Sequence, residues 1–186
     1  MDPRKKLFLT LIILISIIIA FRGRIFRNLI DYETSGFRKN HPISNVKLKN
    51  EIDNRLVGLT NPDIEEILKI SQSLTSATLH FKFDKTEINP NRLIYSKNSH
   101  CVGYSSFLTT TCNYILNKYN LNHKWKAKHC FGYLKIGGMN IHKYFSLPFY
   151  KDHDFVVIEN LETKEFIAVD PVINDYLRID FITLSK

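Results

Sequence analysis

At 186 residues the chain has room for one domain of ordinary size with a sizeable core. With 13 Phe and 9 Tyr against only 7 Gly and 6 Pro, it is expected to be ordered. The net charge of +8 invites a nucleic-acid role, but its distribution argues against one: residues 1–30 hold six bases and one acid, a surplus of +5, and the other 20 bases and 17 acids leave only +3, with no basic cluster interleaved with aromatics.

The basic surplus flanks one hydrophobic segment, Leu7 to Phe21, interrupted only by Thr10 and Ser16. Fifteen helical residues cover roughly 22 Å at about 1.5 Å each, somewhat less than a bilayer core of about 30 Å. Snorkelling Lys6 and Arg22, with helix continuing through Gly23 to Phe26, make up the difference. Ala20 is followed by Phe21-Arg22-Gly23-Arg24 rather than by the small residues of a cleavage site, so an uncleaved single-pass anchor is favoured over a signal peptide. Bases on both sides leave orientation weakly determined. The short N-terminal tail favours a domain on the extracytoplasmic side.

Residues 1–27 are therefore read as a membrane anchor, 28–60 as a linker or loosely packed lead-in, and 61–186 as the functional domain. Asn61-Pro62-Asp63 opens a helix, with Asn61 as N-cap and Asp63, Glu65 and Glu66 at the positive end of its dipole. Leu79, Phe81 and Phe83 alternate as a strand, and Asp84 to Ser99 reads as a loop. A helix starts near Cys101, carries Tyr104, Leu108, Cys112, Ile115 and Tyr119 on one face, and stops by about residue 120. Trp125 to Ile136 forms a long strand closed by Gly137-Gly138, and Asn140 to Leu147 a weaker extended stretch. His153 to Glu159 and Glu165 to Val169 form a hairpin, and Tyr176 to Leu184 adds a last strand. Helices precede an antiparallel sheet, an α+β arrangement.

Ser99-His100-Cys101-Val102-Gly103-Tyr104 sets a thiol where a loop becomes a helix. His153 opens one strand of the hairpin and Asp170 closes its partner, so antiparallel pairing sets imidazole and carboxylate at the same end of the sheet. A thiol nucleophile, an imidazole base and an orienting carboxylate are the three groups that attack on a carbonyl requires. The positive end of the helix dipole lowers the thiol's pKa, and its unpaired N–H groups suit an oxyanion.

These stretches resemble the transglutaminase-like family, a branch of the papain-like thiol enzymes. Its helix-heading Cys-x-Gly-Tyr is similar to Cys101-Val102-Gly103-Tyr104, its strand-opening His with an aromatic and a hydrophobic run to His153-Asp154-Phe155-Val156-Val157, and its Asp-Pro to Asp170-Pro171. The resemblance spans roughly residues 61–180, and departs from the family in Phe155 where Trp is frequent and in Asn98-Ser99-His100 where Gly often precedes the Cys. It implies a papain-like core with a central helix on an antiparallel sheet, and Cys101, His153 and Asp170 as nucleophile, base and orienter. The implied activity is acyl transfer or hydrolysis at an amide of a protein or peptide substrate, without cofactor or metal.

Tyr95 is the candidate oxyanion donor, with a packed loop aromatic as the plainer reading. Asp175 competes with Asp170 as orienter, whereas Asp152 and Asp154 alternate to the other face of their strand. His100 is expected to point away from Cys101. His123, His129, His142 and Cys130 match no structural zinc spacing. Cys112 and Cys130 read as buried apolar residues, or as a disulfide partnership in an exported domain. The alternative to an enzyme is a peptide-binding or scaffold module on the same fold. Oligomeric state is left open.

Overall fold

The computed structural model describes residues 3–185. It is an α+β protein preceded by an apolar helix. That helix, α1 (Pro3–Leu29), has 27 residues and none of them is buried. It is long and apolar enough to cross a membrane, reaching about 40 Å at 1.5 Å per residue.

No linker follows. Strand β1 (Ile30–Phe37) begins at the next residue, so the reading of 28–60 as a loose lead-in is corrected. Ile30 and Tyr32 lie in an apolar cluster, and Tyr32 is fully buried. Helix α2 (Val46–Arg55), capped by Asn45, buries Leu48 and Ile52 in the main core. Mixed polar composition hid both elements, because each buries only a few side chains.

Helix α3 (Ile64–Thr78) is capped by Asp63 rather than Asn61. Asp63 accepts from the Glu66 N–H, and the Glu66 carboxylate accepts in return from the Asp63 N–H, a reciprocal capping box. Asn61 instead takes the left-handed turn before it, at φ 50°. Strand β2 (His80–Phe81) is only two residues long and pairs in parallel with β3 (Asn98–Ser99). The expected loop between them contains helix α4 (Pro90–Ser96), with Asn89 as cap and Pro90 in its first turn.

The central helix α5 (Cys101–Lys118) begins and ends as expected. It lies across β4 (Trp125–Ile136) and β6 (His153–Asn160), with α3, α4 and α6 (Pro171–Leu177) around it. Tyr104, Phe107, Leu108, Cys112 and Ile115 are fully buried along it. Between β4 and β6 come the short β5 (Met139–Asn140) and two 3-10 turns, Ile141–Tyr144 and Pro148–Tyr150, in place of an extended stretch. The hairpin partner of β6 is β7 (Phe166–Val169). The expected final strand is mostly α6, and only β8 (Thr183–Leu184) is extended.

The sheet order is β7-β6-β4-β1-β8, with β5 beside β4. All of its pairings are antiparallel except β1 with β8. Even positions of β6 (Val156, Ile158) face the main core beneath α5. Odd positions (Phe155, Val157) join Tyr32, Cys130 and Ala168 on the other face, where Phe26 of α1 packs.

Candidate active site

Cys101 is the first residue of α5 and is 7 % exposed. Two features fix it there. His100 is the N-cap, and its Nδ1 accepts from the Val102 N–H at 3.3 Å. Gly103 lets the first turn press onto the preceding strand: a Cβ at this position would sit 1.8 Å from Ser99 Oγ. The Gly of the Cys-x-Gly motif is therefore a packing requirement set by buried Ser99.

His153 is the first residue of β6 and partly buried. Continuing the register Val156↔Val169 by one residue sets Asp170 opposite Phe155, on the His153 face and diagonal to it. The His153 Nε2 donates to Asp170 Oδ2 at 2.7 Å, leaving Nδ1 as the ring nitrogen available to the thiol. Asp170 is completely ligated: Oδ2 also accepts from the Tyr32 hydroxyl at 2.8 Å, and Oδ1 accepts from the Val172 and Ile173 N–H groups as the N-cap of α6. The Tyr32 ring meets the His153 ring edge-on at 5.9 Å. The imidazole is thus oriented by a carboxylate that is itself held from three directions.

The charges follow from these contacts. Burial pushes the Cys101 thiol up, but hydrogen bonding to His100 and His153 and the charge of His153 outweigh it, and the pKa falls to about 7. Burial lowers the His153 pKa, and the Asp170 charge and hydrogen bond overcome it to raise it well above the ordinary value. For Asp170, burial is opposed by His153, Tyr32 and the helix N–H groups, and the net shift is downward. Together they favour a thiolate–imidazolium pair near neutral pH. The other two thiols behave oppositely: burial pushes both Cys112 and Cys130 up to about 12. All three cysteines are free, so Cys112 and Cys130 are not joined.

Cys101 opens into a cleft of about 370 Å³, with Phe83, Lys85, His100, Phe149 and Asp152 among its lining. His100 lines this cleft with Cys101, against the Phe149 ring, and helps to lower the thiol's pKa, which corrects the expectation that it points away. Tyr95 does not line the cleft. It is 61 % exposed, meets Asn45 through its hydroxyl and lies beneath Lys47, so it is not placed as an oxyanion donor. Asp175 accepts from the Tyr104 hydroxyl at 3.0 Å and is not the partner of His153.

Asp154 alternates away from His153 as expected. It is fully buried and binds Arg38 and His129, whose Nε2 lies 2.8 Å from its Oδ1. His142 holds the Tyr150 carbonyl through Nδ1 at 2.7 Å. Among the described residues no group of three or more His, Cys, Asp or Glu has the geometry of a metal site.

Sequence reasoning missed Tyr32 and Arg38, both on β1 or just beyond it. The one available signal was the apolar alternation Ile30-x-Tyr32, which breaks at Ser35-Gly36. There β1 bulges against β4, and a Cβ on Gly132 would meet the Glu33 carbonyl at 1.7 Å. Comparison with protein-family models, with curated proteins and with solved structures finds no match for this chain.

Proposed function

We propose that the protein is a membrane-anchored, transglutaminase-like thiol enzyme that cleaves or transfers the acyl group of an amide in a protein or peptide. The observation that carries this reading is the 2.7 Å bond from His153 Nε2 to buried Asp170, together with a helix-heading thiol whose pKa His100 and His153 pull down to about 7. In this reading the Cys101 thiolate adds to the amide carbonyl, forming a C–S bond. The Cys101 N–H, at the start of α5 and not engaged by the His100 cap, stabilises the oxyanion. The tetrahedral adduct collapses with cleavage of the C–N bond, and His153 gives its Nδ1 proton to the departing amine. Water, deprotonated by His153, then attacks the thioester, releasing a carboxylic acid and restoring the thiol. An amine acceptor in place of water gives a new amide.

The hydrophobic run and its exposed helix support anchoring. Three bases lie on each side of the run, and protease accessibility of the full chain in sealed vesicles decides whether the domain faces the extracytoplasmic side. For the chemistry, the full-length protein in detergent is treated with iodoacetamide at neutral pH and the adducts are mapped. The expected result is rapid modification of Cys101 alone, together with labelling by an electrophilic peptide probe that His153→Ala abolishes. Modification of Cys101 no faster than in the denatured chain would sink the reading.

A further inference from the structure

The end of α1 is built into the domain. Arg22, the first charged residue after the apolar run, donates through Nε to the Leu177 carbonyl at 2.6 Å and through Nη2 to the Arg178 carbonyl at 3.1 Å. These are the last carbonyls of α6, the helix that Asp170 caps. Thr183 donates to the Arg27 carbonyl, and the Phe26 and Tyr32 rings lie 6.5 Å apart. With β1 following α1 directly, the domain has no slack relative to the spanning helix, and the C-terminal end of α6 sits level with the end of the apolar run.

From that level a continuous line of aromatic rings crosses the surface. Tyr176 meets Phe81 at 6.4 Å, Phe81 meets Phe83 at 5.0 Å, Phe83 meets Phe149 at 5.6 Å, and Phe149 meets Tyr150 at 5.1 Å. Phe83 is 66 %, Tyr176 60 % and neighbouring Leu177 47 % exposed, while Phe81, Phe149 and Tyr150 along the same line are half-buried. Exposed Lys82, Lys85, Lys151 and Arg178 adjoin it in sequence, as do the acids Asp84, Asp152 and Asp175. Exposed aromatic rings among charged side chains, next to a helix long enough to span, suit a membrane–water boundary, and the exposed Phe83, Tyr176 and Leu177 side chains suit a contact surface. Phe83 and Phe149 also form a wall of the cleft over Cys101.

We infer that this aromatic ridge docks on the lipid bilayer, in the headgroup–acyl boundary of the leaflet from which α1 emerges, so that the Cys101 cleft opens at the membrane surface. The occupant is lipid because the ridge starts at the seam with the spanning helix and no hinge separates the two. The inference rests on the anchoring part of the proposal above and not on its thiol chemistry.

Brominated-lipid quenching of single-tryptophan full-length chains in vesicles tests it, with Trp125→Phe removing the native indole and phosphatidylglycerol supplying negative charge. Ile13→Trp reports the spanning helix, while Phe83→Trp and Leu177→Trp report the ridge at two independent positions. Interfacial side chains sink about 5–10 Å into the boundary, so both ridge tryptophans are expected to lose about half their emission to bromine placed high on the acyl chain. Quenching of Ile13→Trp with neither ridge position quenched would overturn the inference and leave the anchor standing. Ridge tryptophans shielded from iodide yet untouched by bromine would mean a protein covers the ridge, which also overturns it. An unquenched Ile13→Trp would remove the anchor, and the inference with it.

Discussion

Among the described residues, two histidines bind a buried aspartate with nearly equal geometry. His153 Nε2 lies 2.7 Å from Asp170, and His129 Nε2 lies 2.8 Å from Asp154, with both carboxylates at most 1 % exposed. Their third partners differ. Asp170 receives a neutral Tyr32 hydroxyl, so its charge is left to act on His153, which faces a thiol at a cleft. Asp154 receives the Arg38 guanidinium, with Asp152 beside it, and its histidine is 2 % exposed beneath α5. A carboxylate–imidazole pair is therefore not in itself a catalytic feature. One pair lies where the proposed chemistry needs an oriented imidazole, while the other ties Arg38, after β1, to β4 and β6.

The largest test of this contrast exchanges the carboxylates. On the proposed chemistry, Asp170→Asn is expected to lower amide turnover by about 10²- to 10⁴-fold, the usual contribution of acid–base assistance, while Asp154→Asn leaves it within a few-fold. Equal losses would erase the distinction. Stability supplies the reverse test. Breaking a fully buried ion pair costs about 3–5 kcal/mol, and because the Arg38 side chain is 35 % exposed the loss for Asp154→Asn belongs at or below the low end of that range. Denaturant melts of the full chain in detergent measure it.

The pH dependence sharpens the same comparison. The thiolate fraction of Cys101 is expected to be half-maximal near pH 7, so at that pH it is alkylated roughly tenfold faster than an ordinary thiol of pKa about 8.5. Cys112 and Cys130, pushed up to about 12, stay unmodified. Asp154 and Asp170 are both depressed. Their stabilisation is present above the ordinary carboxylate value of about 4 and disappears as pH falls through the lower folded values. The raised His153 acts in the opposite sense: its stabilisation is complete below about 6.5 and is lost as pH rises through its folded value. The smallest expected effect is that of Tyr32→Phe, which removes one hydrogen bond to Asp170 while leaving three. A loss of about 1–2 kcal/mol in stability and an alkylation midpoint moved slightly upward would fit an orienting role. An unchanged midpoint would make Tyr32 a packing residue only.

Local grammar made much of this architecture legible. The apolar stripe of α5, the hairpin of β6 and β7, and the thiol, imidazole and carboxylate at their edges are each written in contiguous residues. What escaped depends on distant partners. Tyr32 matters because β1 inserts between β4 and β8, and nothing within Asp31 to Gly36 says so. His100 was expected to turn outward, but capping α5 required its Nδ1 at the Val102 N–H and brought the ring to the cleft. Helix α4 is only seven residues long and is set by Asn89 and Pro90 rather than by periodicity. Tyr95 is close to Cys101 in sequence, yet α4 carries it toward α2 instead.

The direct passage from α1 into β1 also fixes where a soluble fragment of this protein can begin. Starting at Ile30 would delete the Phe26 ring, the Arg27 carbonyl that receives Thr183, and the Arg22 clamp on α6. The cluster around Tyr32 would lose its lid. A fragment that opens at Arg22 keeps about two further helical turns and all three of those contacts, while discarding the greasy stretch that would make it aggregate.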